Sequence, residues 1–266
     1  MAKITKLVLP VAGLGKRLKP LTNRCPKALI PLHGRPLLDY MFEEAEKSGI
    51  VDVALIINPQ HEKHFRAYLK AFKKRSSGLT IHIRFQHTPG GNGHAIIQAA
   101  DVVKNEPFAV RFCDDILSCN PSALASLIRY YEIYRAPILL LERVPKQKIS
   151  RYGVVAIRRV RKPQQALPSG NVYQITEIIE KPSLRRAPSN LTIVGGYVLT
   201  PSILRNLQKI ADSLPIIAAD ALPVAVALQV ELILGGKIYG WEFTCSRFDC
   251  GTLDGLKNAE AFLAQS

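Results

Sequence analysis

The stretch KLVLPVAGLGKRLKP, residues 6–20, passes from an apolar run through two glycines into a basic segment. A short apolar run that stops at a glycine turn predicts a buried strand over 6–12. Behind it stand Gly13, Gly15 and Arg17, with Lys27 following Pro26. Glycines let backbone N–H groups come close to an anion, and an arginine fork or a lysine adds charge to the phosphate oxygens. The same residues also suit a tight turn ahead of a solvated basic face. The loop is neither a Walker loop nor a dinucleotide fingerprint, because Leu18 stands where a third glycine would be needed.

Working outward, helix and strand patterns alternate. Helical periodicity covers 36–50, 61–75 and 93–104, and strand patterns cover 51–58, 79–86 and 108–115. Four strands with helical segments between them predict an α/β fold: a mostly parallel sheet in a Rossmann-like, three-layer α/β/α arrangement. Ligands in such sheets sit outside the carboxyl ends of the strands. The opening glycine loop and the pair Asp114-Asp115 both fall at such ends.

The second half is rich in strands, at 136–144, 153–160, 172–182 and 190–201. Helices follow near 201–210 and 215–228, then strands in VELILGG (230–236) and KIYGWEFT (237–244), and a closing helix at 252–263. RKPQQALPSGN, 161–171, reads as a hairpin tip. One domain over 1–266 is expected, with a nucleotide-side half at 1–120 and a second half at 121–266.

The chain has 266 residues, 47% of them apolar, enough for a sizeable core. No apolar run approaches the roughly 20 residues of a membrane span. The N-terminus does not read as a secretory signal, so a cytoplasmic location without a membrane partner is expected. The five cysteines are scattered and contain no Cys-x-x-Cys, which predicts reduced thiols. Lys and Arg number 36 against 21 Asp and Glu, a formal net charge of +15. The positives are scattered and lack an aromatic-rich ribbon, so a phosphate-rich small substrate is expected before nucleic acid.

Several other residues carry chemistry. Gly91 lies in a second glycine loop, QHTPGGNGHA (86–95), and Gln86 before it offers an amide donor and acceptor suited to a pyrimidine edge. His94 reads as a loop or cap residue. Paired carboxylates at a strand end suit Mg²⁺, a hard cation that takes oxygen ligands and phosphates together, or else a turn. Asp249 in RFDCG, and Glu180 with Lys181 in IEKP, are ambiguous alone.

Taken in order, PVAGLGKRLKP, PKALIPL, GRPLLDY, GGNGHA, CDDIL, RYGVV, EKP, APSNLTIVGGYVL and DCG span residues 8–251. The sequence resembles the sugar-1-phosphate nucleotidylyltransferases, in particular the bacterial UTP–glucose-1-phosphate uridylyltransferases. The resemblance implies their nucleotide-diphospho-sugar transferase fold. It also implies that UTP and glucose-1-phosphate are the substrates, yielding UDP-glucose and pyrophosphate, and it leaves room for a homo-oligomer. It would assign Ala12, Gly13, Gln86 and Gly91 to uracil, and Gly15, Arg17 and Lys27 to the triphosphate. Asp114 and Asp249 would bind Mg²⁺. Gly153, Glu180 and Ile193 would receive the sugar, and Lys181 its phosphate.

The sequence departs from the family pattern at several places, among them a shorter segment before LTIHIRFQ (79–86). Lys16 replaces a usual threonine, Ala28 a usual glutamate, and PIIAADALPVAVAL (215–228) keeps only Asp220-Ala221 of a third motif. A relative using dTTP or another sugar phosphate is an alternative, as is a non-catalytic paralogue that binds nucleotide sugars.

Overall fold

The computed structural model describes residues 3–74, 78–160, 168–213 and 222–265. The strands are β1 (Lys6–Pro10), β2 (Pro31–Leu32), β3 (Arg35–Pro36), β4 (Asp52–Ile57), β5 (Thr80–Phe85), β6 (Phe108–Arg111), β7 (Asp115–Ser118), β8 (Ile138–Arg143), β9 (Gly153–Arg159), β10 (Asn171–Glu180), β11 (Leu191–Leu199), β12 (Ile238–Glu242) and β13 (Ser246–Asp249). The helices are α1 (Leu37–Lys47), α2 (Glu62–Phe72), α3 (Asn92–Ile97), α4 (Ala100–Val103), α5 (Ala123–Tyr134), α6 (Pro201–Ser213), α7 (Val224–Ile233) and α8 (Leu253–Leu263).

Nine strands form one mixed sheet in the order β5-β4-β1-β6-β11-β8-β12-β10-β9. The first four are mutually parallel, as the alternation requires. The remainder is largely antiparallel, with β12 running parallel to β8. The period-two rule sorts side chains to two faces. Leu7, Leu9, Val53 and Leu55 enter one core with Phe42 and Phe65 of α1 and α2. Val8, Ala54 and Ile56 enter the other with Ile96 of α3 and Leu207 of α6. These two cores are the interfaces of the expected three layers.

Four sequence expectations are corrected. The strand expected over 108–115 ends at Arg111, and Asp115 opens β7 instead. Phe112 N–H turns to the Gly195 carbonyl at 3.1 Å, and Asp115 N–H closes a turn on Phe112 O. The helix expected over 93–104 is two short helices, α3 and α4. VELILGG is no strand: α7 continues to Ile233 and a turn follows with Gly235 at φ +82°. An apolar run without helical period hid this helix. Cys119 and Cys245 are joined as a disulfide, while Cys25, Cys113 and Cys250 are free. Antiparallel β7 and β13 pair Ser118 with Ser246, so the next residues along, Cys119 and Cys245, come together at a Cα–Cα distance of 5.2 Å. Sequence spacing gave no signal of this, since the two cysteines are 126 residues apart.

The hairpin expected at 161–171 joins β9 to β10, which pair antiparallel; residues 161–167 lie outside the described residues. So do 214–221, including Asp220 and Ala221. Helix α5 and the ribbon of β7 with β13 had no sequence expectation. Among the described residues, no helix is long and apolar enough to cross a membrane.

Gly93 marks where the helical layer closes on the second glycine loop. A Cβ there would meet Leu222 O at 2.7 Å, Leu207 Cδ2 at 2.8 Å and Val224 N at 3.2 Å. Two of these are backbone atoms and give little. Gly93→Ala should therefore destabilise the protein by about 1–3 kcal/mol, although alanine favours a helix by about 1 kcal/mol. A thermal melt should show Tm lowered by several degrees; an unchanged Tm would contradict this packing.

Candidate active site

The loops after β1, β4, β5 and β6 all leave the same carboxyl edge of the parallel strands. Val11 N–H donates to Ile56 O at 2.8 Å, and Gln86 N–H to Ile57 O at 2.9 Å, so the first loop and the strand before the second glycine loop stay bound to β4. Ala12 is buried and Gly13 exposed. Gly15 turns with φ +61°, where a Cβ would meet Thr22 Cγ2 at 2.6 Å. The Thr22 hydroxyl donates to Gly15 O at 3.1 Å and fixes the turn. A single helical turn, Lys16–Leu18, then carries Arg17.

Gln86 is buried, and its amide is already engaged. Its Nε2 donates to Gly91 O at 3.0 Å and lies 3.1 Å from His94 Nδ1. Thr88 O lies 3.0 Å from the same His94 nitrogen. Gln86, Gly91 and His94 thus form one constellation, in which His94, expected in the loop or at the cap, lies instead inside α3, with its ring against the loop carbonyl of Thr88. The loop is also tied to the chain after 221: Leu222 N–H donates to Gly90 O and Val224 N–H to Asn92 Oδ1, both at 2.9 Å.

The acidic pair divides into two roles. Asp114 Oδ2 forms an ion pair with Lys27 Nζ, both side chains being about four-fifths covered. Burial disfavours the Lys27 ammonium, but the Asp114 carboxylate outweighs it and raises its pKa. Burial likewise opposes the Asp114 charge, and Lys27 outweighs it, holding the carboxyl below its usual range. Across the loop, Arg17 Nη1 lies 3.5 Å from Asp249 Oδ2, with Arg17 largely exposed. These groups converge on Gly251. A Cβ there would meet Asp114 Oδ2 at 2.6 Å, Asp249 Oδ1 at 2.8 Å and Arg17 Nη2 at 2.9 Å. Asp249 is oriented by Gly251 N–H at 3.0 Å.

Asp115 points elsewhere. Its Oδ1 is held by Arg247 Nη1, and its Oδ2 accepts the Gly195 N–H at 3.1 Å. Burial pushes its carboxyl up to about 6, with Arg247 pulling the other way. Arg111, fully buried, ties this turn to the core: Nε bonds Glu44 at 3.0 Å, Nη1 bonds Gly195 O at 2.8 Å and Nη2 bonds Asp115 O at 3.1 Å. Sequence reasoning missed Arg111, Glu44, Glu142 and Arg247. The one available signal was Arg247 two residues before Asp249, which strand alternation puts on the same face.

Gly153, Glu180 and Ile193 come together. Register pairs Gly153 with Glu180, and Thr192 with Val154. A Cβ on Gly153 would meet Glu180 Oε2 at 3.1 Å, Ile193 Cδ1 at 3.4 Å and Ala225 Cβ, from α7, at 3.9 Å. Lys181 follows the end of β10 with φ +45°, a conformation that L residues seldom take. Its N–H donates to Tyr152 O at 3.0 Å, and its half-exposed ammonium lies 3.9 Å from Glu180 Oε1.

Residues 6–266 match the nucleotidyl transferase family. A UTP–glucose-1-phosphate uridylyltransferase of Bacillus subtilis is 31% identical, covering 94% of this chain and 88% of its own. One from Mycoplasma pneumoniae is 32% identical, covering 99% and 94%. The crystal structure of a UDP-glucose pyrophosphorylase with UDP-glucose superposes with TM-score 0.82 at 28% identity, covering 99% of this chain and 100% of that one. A UTP-bound enzyme from Acinetobacter baumannii gives 0.76 at 26%, covering 98% and 93%. Since the match runs from the first strand through the last helix, and relatives above 30% identity align along nearly the whole length, this chain belongs to the nucleotidyl transferase family.

Proposed function

We propose that this chain transfers a uridylyl group from UTP to glucose-1-phosphate, giving UDP-glucose and pyrophosphate. The observation that carries this is the convergence of Arg17, Asp114 and Asp249 on Gly251, with Lys27 on Asp114. Two carboxylates and two cations facing one point at the carboxyl edge of a parallel sheet suit a polyphosphate and its counter-cation.

The donor set fits Mg²⁺. Asp114 and Asp249 offer hard oxygen ligands, and each brings one oxygen to the space beside Gly251 that a Cβ would fill, where Lys27 and the Gly251 N–H hold them in this structure. Mg²⁺ commonly takes one or two carboxylates, with waters and substrate phosphates completing its shell. When bound, it supplies charge neutralisation at the reacting phosphates.

The residues of the chain do the rest. Backbone N–H groups of the loop at 13–15 receive phosphate oxygens. Lys27 and Arg17, paired with carboxylates in this structure, turn to the triphosphate and stabilise charge at the α-phosphorus. Lys181 neutralises the sugar phosphate, and Gly153, Glu180 and the Ile193 backbone receive sugar hydroxyls. Ala12, Gly13, Gln86 and Gly91 seat the uracil, with the Gln86 amide exchanging its loop contacts for the base edge. A phosphate oxygen of glucose-1-phosphate attacks the α-phosphorus as the bond to the β-phosphate oxygen breaks. The nucleophile is already an oxyanion, so no general base is required, and catalysis is positioning and electrostatics. In this reading the nucleotide side is served by residues up to about 120 and the sugar side by residues beyond.

The test is pyrophosphate release with glucose-1-phosphate and Mg²⁺, run separately with UTP, dTTP, ATP, GTP and CTP. Release with UTP alone is expected. Equal release with dTTP would broaden the nucleotide assignment. No release from any of the five, in folded protein, would overturn catalysis.

A further inference from the structure

Three carboxylates crowd the turn after β6 and the ribbon of β7 with β13, yet only two face the cation position. In the ribbon, Asp249 stands directly opposite Asp115. Like charges opposite each other across paired strands repel. The repulsion is met differently at each. Asp249 has the exposed Arg17. Asp115 has Arg247, which is 8% exposed and lies two residues before Asp249 on the same strand.

Arg247 joins three strands. From β13 its Nη1 holds Asp115 at the start of β7, while its Nε and Nη2 take Glu142 Oε2 of β8 at 2.8 and 2.7 Å. The Gly195 N–H takes the other Asp115 oxygen, and a Cβ on Gly195 would overlap that carboxylate. Both Asp115 oxygens are therefore occupied, one by Arg247 of β13 and one by the Gly195 N–H of β11, while the three atoms nearest a Cβ at Gly251 belong to Asp114, Asp249 and Arg17. Consistently, no cluster of three or more potential metal-ligating side chains occurs among the described residues.

The geometry points to Arg247 as a positioning residue: it neutralises Asp115 and holds it out of the cation site, leaving Asp114 and Asp249 as the two ligands. This rests on the cation reading of Asp114 and Asp249 above. It also explains how tandem aspartates at one strand end take different parts. A third free carboxylate would make the site a tighter trap for a divalent ion and a poorer place for a triphosphate, whose negative charge it would repel.

The full-length protein, R247M and R247M/D115N should each be titrated with Mn²⁺ without nucleotide, following free Mn²⁺ by its EPR signal, beside thermal melts and steady-state kinetics. Removing a buried cation next to a divalent site should tighten Mn²⁺ binding in R247M by about tenfold. Its kcat should fall by about tenfold or more while KM for glucose-1-phosphate moves less than about twofold. R247M/D115N restores the net charge of the trio Arg247, Asp115 and Glu142 and should return Mn²⁺ affinity to that of the wild type. A merely structural arginine would lower Tm and leave Mn²⁺ affinity unchanged or weaker, and that result would overturn the proposal. Should R247M fail to fold, R247Q, whose amide still reaches one carboxylate, is read by the same criteria. Wild-type turnover tests the transferase reading separately, so either can fail without the other.

Discussion

Asp114→Asn should release pyrophosphate from UTP and glucose-1-phosphate about a thousandfold more slowly than the wild type. A ligand that helps neutralise charge at transferring phosphates is worth several kcal/mol, and about 4 kcal/mol is a factor of about a thousand in rate. Asparagine keeps the size of the side chain but loses the charge that Lys27 pairs with and that the proposed Mg²⁺ site needs. The variant is also expected to be less stable by about 1–3 kcal/mol, because Lys27 keeps a charge that is largely covered and loses its partner. Lys27→Met combined with Asp114→Asn should recover part of that loss, since both charges leave together. Parallel kinetics and denaturant melts separate the two effects. A rate loss that tracks the unfolded fraction would make Asp114 a structural residue. A thousandfold loss in fully folded protein would place it in the chemistry.

Lys181→Ala should lower kcat/KM for glucose-1-phosphate by about two to three orders of magnitude. Binding of UTP, measured by calorimetry, should change less than about twofold, because the role proposed for the side chain is at the sugar phosphate alone. Stability should move within about 0.5 kcal/mol, as expected where a half-exposed side chain is cut back. Alanine also leaves the backbone cost at φ +45° unchanged, so the comparison isolates the ammonium. Full activity in this variant would remove Lys181 from the site. Loss of UTP binding as well would shift its role to the nucleotide.

The parallel half of the fold could be read from residue patterns, because its cause is local. Val53, Ala54, Leu55 and Ile56 are covered on both faces, so a continuous apolar run marked the strand, while α1 and α2 carry one apolar stripe each. The glycine turn at Gly15, the acids at 114 and 115, and the Glu180–Lys181 step could be read for the same reason: each follows the end of a periodic run. Patterning failed where local signals conflict. Helix α7 is apolar nearly all round, and the apolar strand run at 108–111 continued visually into Phe112 and Cys113, although the backbone turns away at Phe112.

The division of labour within the site is a matter of long-range register. Arg247 reaches Asp115 across 132 residues of sequence, Arg17 reaches Asp249 across 232, and Cys119 meets Cys245 across 126. No local propensity encodes which of two adjacent aspartates meets Lys27 and which meets Arg247. That choice follows from where β13 lands on β7, since antiparallel pairing sets Asp115 opposite Asp249 and diagonal to Arg247, which also reaches Glu142 of β8. The amino-acid order therefore specifies the strands, the loops and the kinds of groups at their ends. Tertiary packing specifies which of those groups meet, because charges separated by most of the chain interact only after the sheet has brought them within a few ångströms.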